Sequence, residues 1–268
     1  MTRPLALRDA VAVVTGAGSG IGRAAALAFA QRGARVGVSD VSLERAEAVA
    51  AEIDALGAAA FAARVDVTSE ADLMALRDEA VRRFGGVDVV MNNAGVLALG
   101  APETMPDEAW RRVFDINLLS HARSNRVFLP LLLAQGRGHV VNTASASGLL
   151  AYGYDRLPYV ASKHAIVGVS EALAIYLGPK GIGVTCLCPS GVITNILELI
   201  TVYGDQAGAP RAPDYAIVSA EEVGALAADA VEQGRFLVVT APEVQEELVS
   251  RTADIEAYLQ RRIAEQSA

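Results

Sequence analysis

Lysine is almost missing from this chain. Only Lys163 and Lys180 occur among 23 lysines and arginines, so arginine carries nearly all the positive charge and a position that keeps lysine calls for a reason. Cysteine is equally scarce. Cys186 and Cys188, spaced C-x-C in the apolar run "VTCLCPSG", share one face of a strand but lie badly for bonding each other, so both read as reduced core thiols and not as a disulfide framework. The three histidines, His121, His139 and His164, stand apart without metal-ligand spacing, and no metal is expected. Positive charge is in deficit overall. A formal net charge of -8 and a pI near 5.0 argue against nucleic acid or an anionic membrane surface as a partner. The longest apolar stretch, "VFLPLLLA", is too short to cross a bilayer, and "MTRPLALRDAVAVVTG" lacks the apolar run and cleavage site of a signal peptide. A soluble, cytoplasmic protein is expected.

What the chain does have is ample apolar material: 52% hydrophobic residues over 268 positions suit one large α/β domain spanning 1–268. Short β-rich runs at 11–15, 35–39, 59–64, 87–91, 139–143, 183–187 and 236–239 alternate with longer helical patterns. Most of the runs are continuously apolar, as in strands covered on both faces, and the alternation predicts a doubly wound parallel sheet, Rossmann-like, with helices on both sides. Ser42 and Ser69 stand as helix N-caps, the second with Asp72 three residues on. The stretch 191–219 lacks periodicity and reads as a mobile segment over a site, and 242–266 reads as one charged C-terminal helix.

"TGAGSGIG", 15–22, follows the first apolar run and opens a helical pattern. Its glycines permit a tight turn and close backbone approach to a pyrophosphate lying at the positive end of the helix, so Gly16, Ser19, Gly20, Ile21 and Gly22 are candidate cofactor contacts. Asp40 ends the second strand, where a carboxylate accepts hydrogen bonds from the adenosine ribose of NAD and repels the extra phosphate of NADP. No basic residue stands at Ala17, Ser19 or Val41, although Arg45 is close by.

In "PYVASKHA", Tyr159 and Lys163 are one helical turn apart and point the same way. A free phenol has a pKa of about 10, and an adjacent ammonium favours the phenolate. A compact ammonium can also donate to a ribose hydroxyl and hand on a proton, which a guanidinium cannot. The lysine is therefore kept for chemistry. Ser145, in "NTASASG" just past the fifth strand, lies at the carboxyl edge where such sheets bind ligands, with Ser147 as a rival two residues on.

Taken in order, G-x-x-x-G-x-G, "NNAG" at 92–95 and Y-x-x-x-K resemble the short-chain dehydrogenase/reductase family, through about residue 194. The resemblance implies a catalytic set of Asn117, Ser145, Tyr159 and Lys163, with Asn117 holding a water beside Lys163. It implies further cofactor contacts at Asp66 and Val67 (adenine), at Asn93 and Gly95 (cleft lining), and at Pro189, Val192 and Thr194, which match a P-G-x-x-x-T segment at the nicotinamide. Ser190 departs from that segment by replacing its glycine. A homodimer or homotetramer is implied as well. Leu97, Leu99, Leu149 and Leu150 suggest an apolar or aromatic substrate and read equally as core, while Tyr152 and Tyr154 are candidates for the pocket lining. The expected activity is NAD-dependent interconversion of a secondary alcohol and a ketone. An NADPH-dependent ketoreductase and a non-catalytic dinucleotide sensor are the alternatives.

Overall fold

In the computed structural model, which describes residues 3–151, 153–192, 200–204 and 215–267, seven parallel strands form one sheet. They are β1 (Val11–Thr15), β2 (Arg35–Asp40), β3 (Ala60–Arg64), β4 (Val89–Asn92), β6 (Gly138–Thr143), β7 (Ile182–Cys188) and β9 (Leu237–Val239), in the order β3-β2-β1-β4-β6-β7-β9. All seven strands expected from the sequence are present, β1 with the expected bounds and the others with ends shifted by at most two residues.

Helices cover both faces because β1, β4, β6 and β7 are buried throughout and offer apolar side chains on each side. On one face, α1 (Gly20–Gln31), α2 (Leu43–Ala55) and α7 (Ala220–Gln233) pack through Phe29, Ile53 and Val231. On the other, α3 (Glu70–Phe84), α5 (Ser120–Gln135) and α6 (Leu157–Leu177) pack through Leu76, Phe128 and Leu177. The predicted caps form: Ser42 Oγ accepts from the Arg45 amide, and Ser69 Oγ from the Asp72 amide at 3.2 Å. The chain leaves β1 outward through β2 and β3, then returns to β4 on β1's other side. That reversal opens a crevice at the carboxyl ends of β1 and β4.

Three features depart from the sequence reading. A second, two-stranded sheet joins β5 (Leu97–Leu99) to β8 (Ile200–Val202), so part of the stretch read as irregular is strand. Each is three residues long and its partner is about a hundred residues away, so neither leaves a local signature. The expected C-terminal helix is two, α8 (Pro242–Ala253) and α9 (Ile255–Ser267), because Asp254 adopts extended backbone and its Oδ1 accepts from the Ala257 amide at 2.9 Å, capping a new helix. Finally, the span 157–180 is long and apolar enough by composition to cross a membrane. Polar residues interrupt it and hid it from a search for unbroken apolar runs. It lies along β7 and turns Ser162, Lys163 and Ser170 inward.

His121 on α5 and His139 on β6 are buried, and His139 Nε2 lies 2.8 Å from Thr185 Oγ1. Burial, then the charge of Lys163, pushes His121 down to about 3, and burial pushes His139 down to about 4. Unfolded histidine takes up its proton near pH 6.5, so below that the unfolded chain binds more protons than the folded one and stability falls with pH. Each residue contributes up to about 1.4 kcal/mol per pH unit. Urea midpoints should therefore drop between pH 6.5 and 4.5, and His139→Gln should flatten the decline. Midpoints that stay level would exclude these depressed values.

Candidate active site

The crevice holds a cavity of about 640 Å³, and its two ends carry different chemistry. At one end the turn between β1 and α1 supplies Gly16, Ser19, Gly20 and Ile21 to the lining. Gly16 and Gly20 have φ of 62° and 53°, which favour glycine. A Cβ on Gly22 would stand 2.2 Å from the Gly16 carbonyl oxygen and 2.5 Å from Asn93 Nδ2, so the turn closes only around glycine. Gly22 thus shapes the turn from behind the lining. The α1 N-terminus has no side-chain cap and no acidic residue in its first turn. Its amides and positive end are left for an anion.

Asp40, at the end of β2, lines the same end. Its Oδ2 accepts from the Gly18 amide and its Oδ1 from the Ser42 amide, both at 3.0 Å, which leaves lone pairs directed elsewhere for hydroxyl donors. Gly18 was not singled out in the sequence, yet a Cβ there would meet Asp40 Cγ at 2.8 Å and Arg45 Cβ at 2.7 Å. Arg45 also lines the cavity. Asp66 and Val67 border it too, and Asp66 Oδ1 is tied to the Thr68 amide and hydroxyl at 2.9 and 2.7 Å, which fixes the turn after β3.

Asn93 stitches the cavity floor. Its Nδ2 donates to the carbonyls of Thr15 and Gly16 at 3.1 and 3.2 Å, and its Oδ1 accepts from Thr143 Oγ1 at 3.3 Å, so one amide ties β1 to β6. At the far end lie Gly95, Tyr159, Lys163 and Pro189. Lys163 is buried, its Nζ donates to the Thr143 carbonyl at 2.8 Å, and it stands 5.5 Å from the centre of the Tyr159 ring. Burial pushes its pKa down to about 8, so the ammonium persists at neutral pH but yields its proton more readily than an exposed lysine.

Asn117 is fully buried within one π-helical turn, Asp115–Leu119, between α4 (Asp107–Phe114) and α5. Such turns widen a helix by a residue and occur at functional sites. The side chain accepts from the Val96 amide at 2.8 Å and donates to the Val96 carbonyl at 3.0 Å and to Ser162 Oγ at 3.3 Å. A Cβ on Gly95 would stand 3.5 Å from Asn117 Oδ1 and 3.8 Å from Lys163 Nζ. The amide oxygen and the ammonium thus border the same small space beside Gly95. Ser145 is buried just beyond cavity residue Ala144, and its Oγ accepts from the Ser147 amide at 3.1 Å, capping the short turn Ala146–Gly148. That turn sits against α6, since a Cβ on Gly148 would meet the Lys163 carbonyl at 2.6 Å.

Val192 lies off the cavity, bridged to Val218, and Thr194 and Tyr152 fall outside the described residues. Of the two readings of the leucines, Leu97, Leu149 and Leu150 are core and Leu99 belongs to β5; Tyr154 is 44% exposed and does not line the cavity. Arg112, Asp115 and Ile116 line the cavity without having been anticipated, because only the tertiary placement of α4 and the π turn brings them there.

Residues 10–201 match the family model described as short chain dehydrogenase. A cyclohexanol dehydrogenase from Acinetobacter sp. (strain SE19) is 41% identical over 70% of this chain and 74% of its own length. A 1-deoxy-11-beta-hydroxypentalenate dehydrogenase from Streptomyces exfoliatus is 38% identical over 93% of this chain and 89% of its own. A short chain dehydrogenase/reductase from Burkholderia phymatum, solved in complex with NAD, superposes with a TM-score of 0.86 at 33% identity, covering 94% of this chain and 96% of that one. The chain belongs to the short-chain dehydrogenase family and is an oxidoreductase.

Proposed function

We propose that the chain, working as one domain, interconverts a secondary alcohol and its ketone with NAD as the cofactor. The observation that carries this reading is the pairing, in one cavity, of an acidic ribose-binding end at Asp40 with a phenol and a buried ammonium at Tyr159 and Lys163. Gly16, Ser19, Gly20 and the α1 N-terminus would hold the pyrophosphate, Asp40 the ribose, Asp66 and Val67 the adenine, and Asn93, Gly95 and Pro189 the nicotinamide half. When bound, the nicotinamide supplies or accepts hydride. Tyr159 takes the proton from the substrate hydroxyl in oxidation and returns it in reduction. Lys163 lowers the cost of the phenolate, Ser145 orients the substrate oxygen, and Asn117 holds the space beside Lys163 through which the proton moves on.

Both named relatives act on a hydroxyl borne by a carbon ring, which supports an apolar cyclic secondary alcohol as substrate class. A cytoplasmic setting fits the free thiols of Cys186 and Cys188. Assembly as a homodimer or homotetramer is supported by the outward face of α6, where Ile175 is 78% exposed and Tyr176 half exposed. One observation favours an NADPH-dependent ketoreductase instead: Arg45 lines the cavity beside Asp40.

Titration with NADH and with NADPH, followed by a panel of cyclic and open-chain secondary alcohols, tests both readings. At least tenfold tighter binding of NADH, with turnover of a cyclic alcohol, is the expected result. A preference for NADPH would move the assignment to the ketoreductase, and tight binding without turnover on any alcohol would leave a dinucleotide sensor.

A further inference from the structure

The C-x-C spacing predicts two thiols on one face of a strand, badly placed for bonding each other. In the structure the sulfurs of Cys186 and Cys188 stand 3.7 Å apart, in contact, and the chain has no other cysteine. Both belong to β7, where two residues of extended chain span about 6.6 Å. A disulfide tolerates Cα separations up to about 6.8 Å, so the pair is within reach of a bond, at the limit that strand geometry allows. Joining the sulfurs brings them from 3.7 Å to about 2 Å and draws in the end of the strand.

That end of β7 holds the reacting side of the site. The Leu187 carbonyl, between the two cysteines, accepts from the Ala144 amide at 2.7 Å, and the Pro189 carbonyl, just after them, accepts from the Ala146 amide at 2.8 Å. Ser145 hangs between these two bonds. Leu187 is also in register with Thr143, whose carbonyl anchors Lys163. The Asp40 end is built on β1 and β2, with β4 and β6 between them and β7.

Both cysteines are fully buried, one layer beneath the cavity: Cys188 packs in one cluster with Ala144, which lines the cavity, and precedes Pro189, which lines it too. Only a small reagent reaches them there. The hydrogen shared between the two sulfurs, the Ser170 hydroxyl and the charge of Lys163 lower the pKa of Cys186 against the effect of burial, and the same sharing raises that of Cys188. Cys186 is therefore the first of the two to give a thiolate, the nucleophilic form.

We propose that Cys186 and Cys188 form a redox site: a hydroperoxide, of which hydrogen peroxide is the smallest, oxidises them to a disulfide that pulls Ser145 out of place and stops turnover, and a dithiol reductant reverses it. The Cys186 sulfur attacks one peroxide oxygen, the O–O bond breaks and water leaves; Cys188 then attacks the sulfur of that sulfenic acid and expels a second water. Two electrons pass from the thiols to the peroxide, and both thiol hydrogens end in water. A disulfide at this geometric limit is easily reduced.

The loss of activity rests on the function proposed above; the bond itself does not. Wild-type protein, with and without hydrogen peroxide, is compared with the double variant Cys186→Ala, Cys188→Ala for cyclohexanol turnover, thiol content after unfolding and intact mass. The oxidised wild type should lose both titratable thiols and two hydrogen atoms of mass. Its kcat should fall at least tenfold while NADH affinity changes less than threefold, and dithiothreitol should restore thiols, mass and kcat. The double variant should keep at least half of its own untreated turnover. Two thiols still titratable after peroxide, oxygen gain in place of hydrogen loss, a disulfide that leaves kcat unchanged, or equal inactivation of the double variant would each overturn the proposal. If the double variant does not fold, restoration of the wild type by dithiothreitol decides alone. If the wild-type protein oxidises no alcohol, the function reading fails and amide exchange at Ala144 and Ala146 takes the place of turnover: faster exchange in the oxidised protein upholds the redox site, unchanged exchange overturns it.

Discussion

Replacing Tyr159 by phenylalanine should cut kcat for alcohol oxidation by about 10²- to 10⁴-fold, the range that a positioned general acid-base group supplies, with NADH affinity changed less than threefold. The prediction separates chemistry from binding because the substitution removes one oxygen and keeps the ring that stands 5.5 Å from Lys163 Nζ. The Gly-rich turn, Asp40 and Asn93 are held by contacts that do not involve Tyr159. Lys163 also keeps its anchor, since Nζ donates to the Thr143 carbonyl and not to a group that the variant loses. Stopped-flow turnover with the wild-type's preferred alcohol, beside NADH titration by protein fluorescence, reads the two quantities separately. Residual turnover within tenfold of wild type would mean that the substrate proton leaves by another route and that the role given to Tyr159 is wrong. Loss of NADH binding in the same variant would mean that the ring builds the cleft and would leave the catalytic role unsupported.

The sequence made part of this site legible for a physical reason. Wherever the backbone itself approaches a ligand, as at Gly16, Gly20 and Gly22, or a turn of helix aligns two side chains, as at Tyr159 and Lys163, function is encoded in local spacing. Local spacing is what a sequence displays. The groups that hold those residues are encoded elsewhere: the Thr143 carbonyl under Lys163 is backbone, and any residue at position 143 would offer one. Gly18 sat within a motif already read, yet its need to be glycine comes from Asp40 and Arg45, which only the pairing of β1 with β2 brings against it. Asn117 stood out as an amide in a helical pattern, whereas the π turn that carries it between α4 and α5 leaves no local signature. The four leucines left two readings open, substrate lining or core, and burial decides between them. Apolar residues near catalytic ones are usually core, and Leu150 is fully buried.

Asp40→Ala should reverse or erase the cofactor preference, shifting the ratio of NADH to NADPH affinity by roughly a hundredfold. Two charges about 4 Å apart near a protein surface interact by about 4 kcal/mol, and the partly exposed position of Asp40 screens part of that, leaving roughly 2 to 3 kcal/mol, or about two powers of ten. The wild-type carboxylate penalises a 2′-phosphate and rewards the ribose hydroxyls, so removing it acts on the ratio from both sides. Arg45 then becomes the dominant charge at this end of the cavity and attracts the phosphate that Asp40 repelled. The double variant Asp40→Ala, Arg45→Ala separates the two effects: NADH should stay weakened, while the gain for NADPH falls back by about tenfold. Because Asp40 also accepts from the Gly18 and Ser42 amides, the single variant should lose about 1 kcal/mol per hydrogen bond in stability, and affinities must be compared at a temperature where both proteins are fully folded. An unchanged ratio in the folded variant would show that discrimination lies outside Asp40, with Arg45 the next position to replace. A ratio that moves only when both residues are changed would show that the pair, and not the carboxylate alone, reads the ribose.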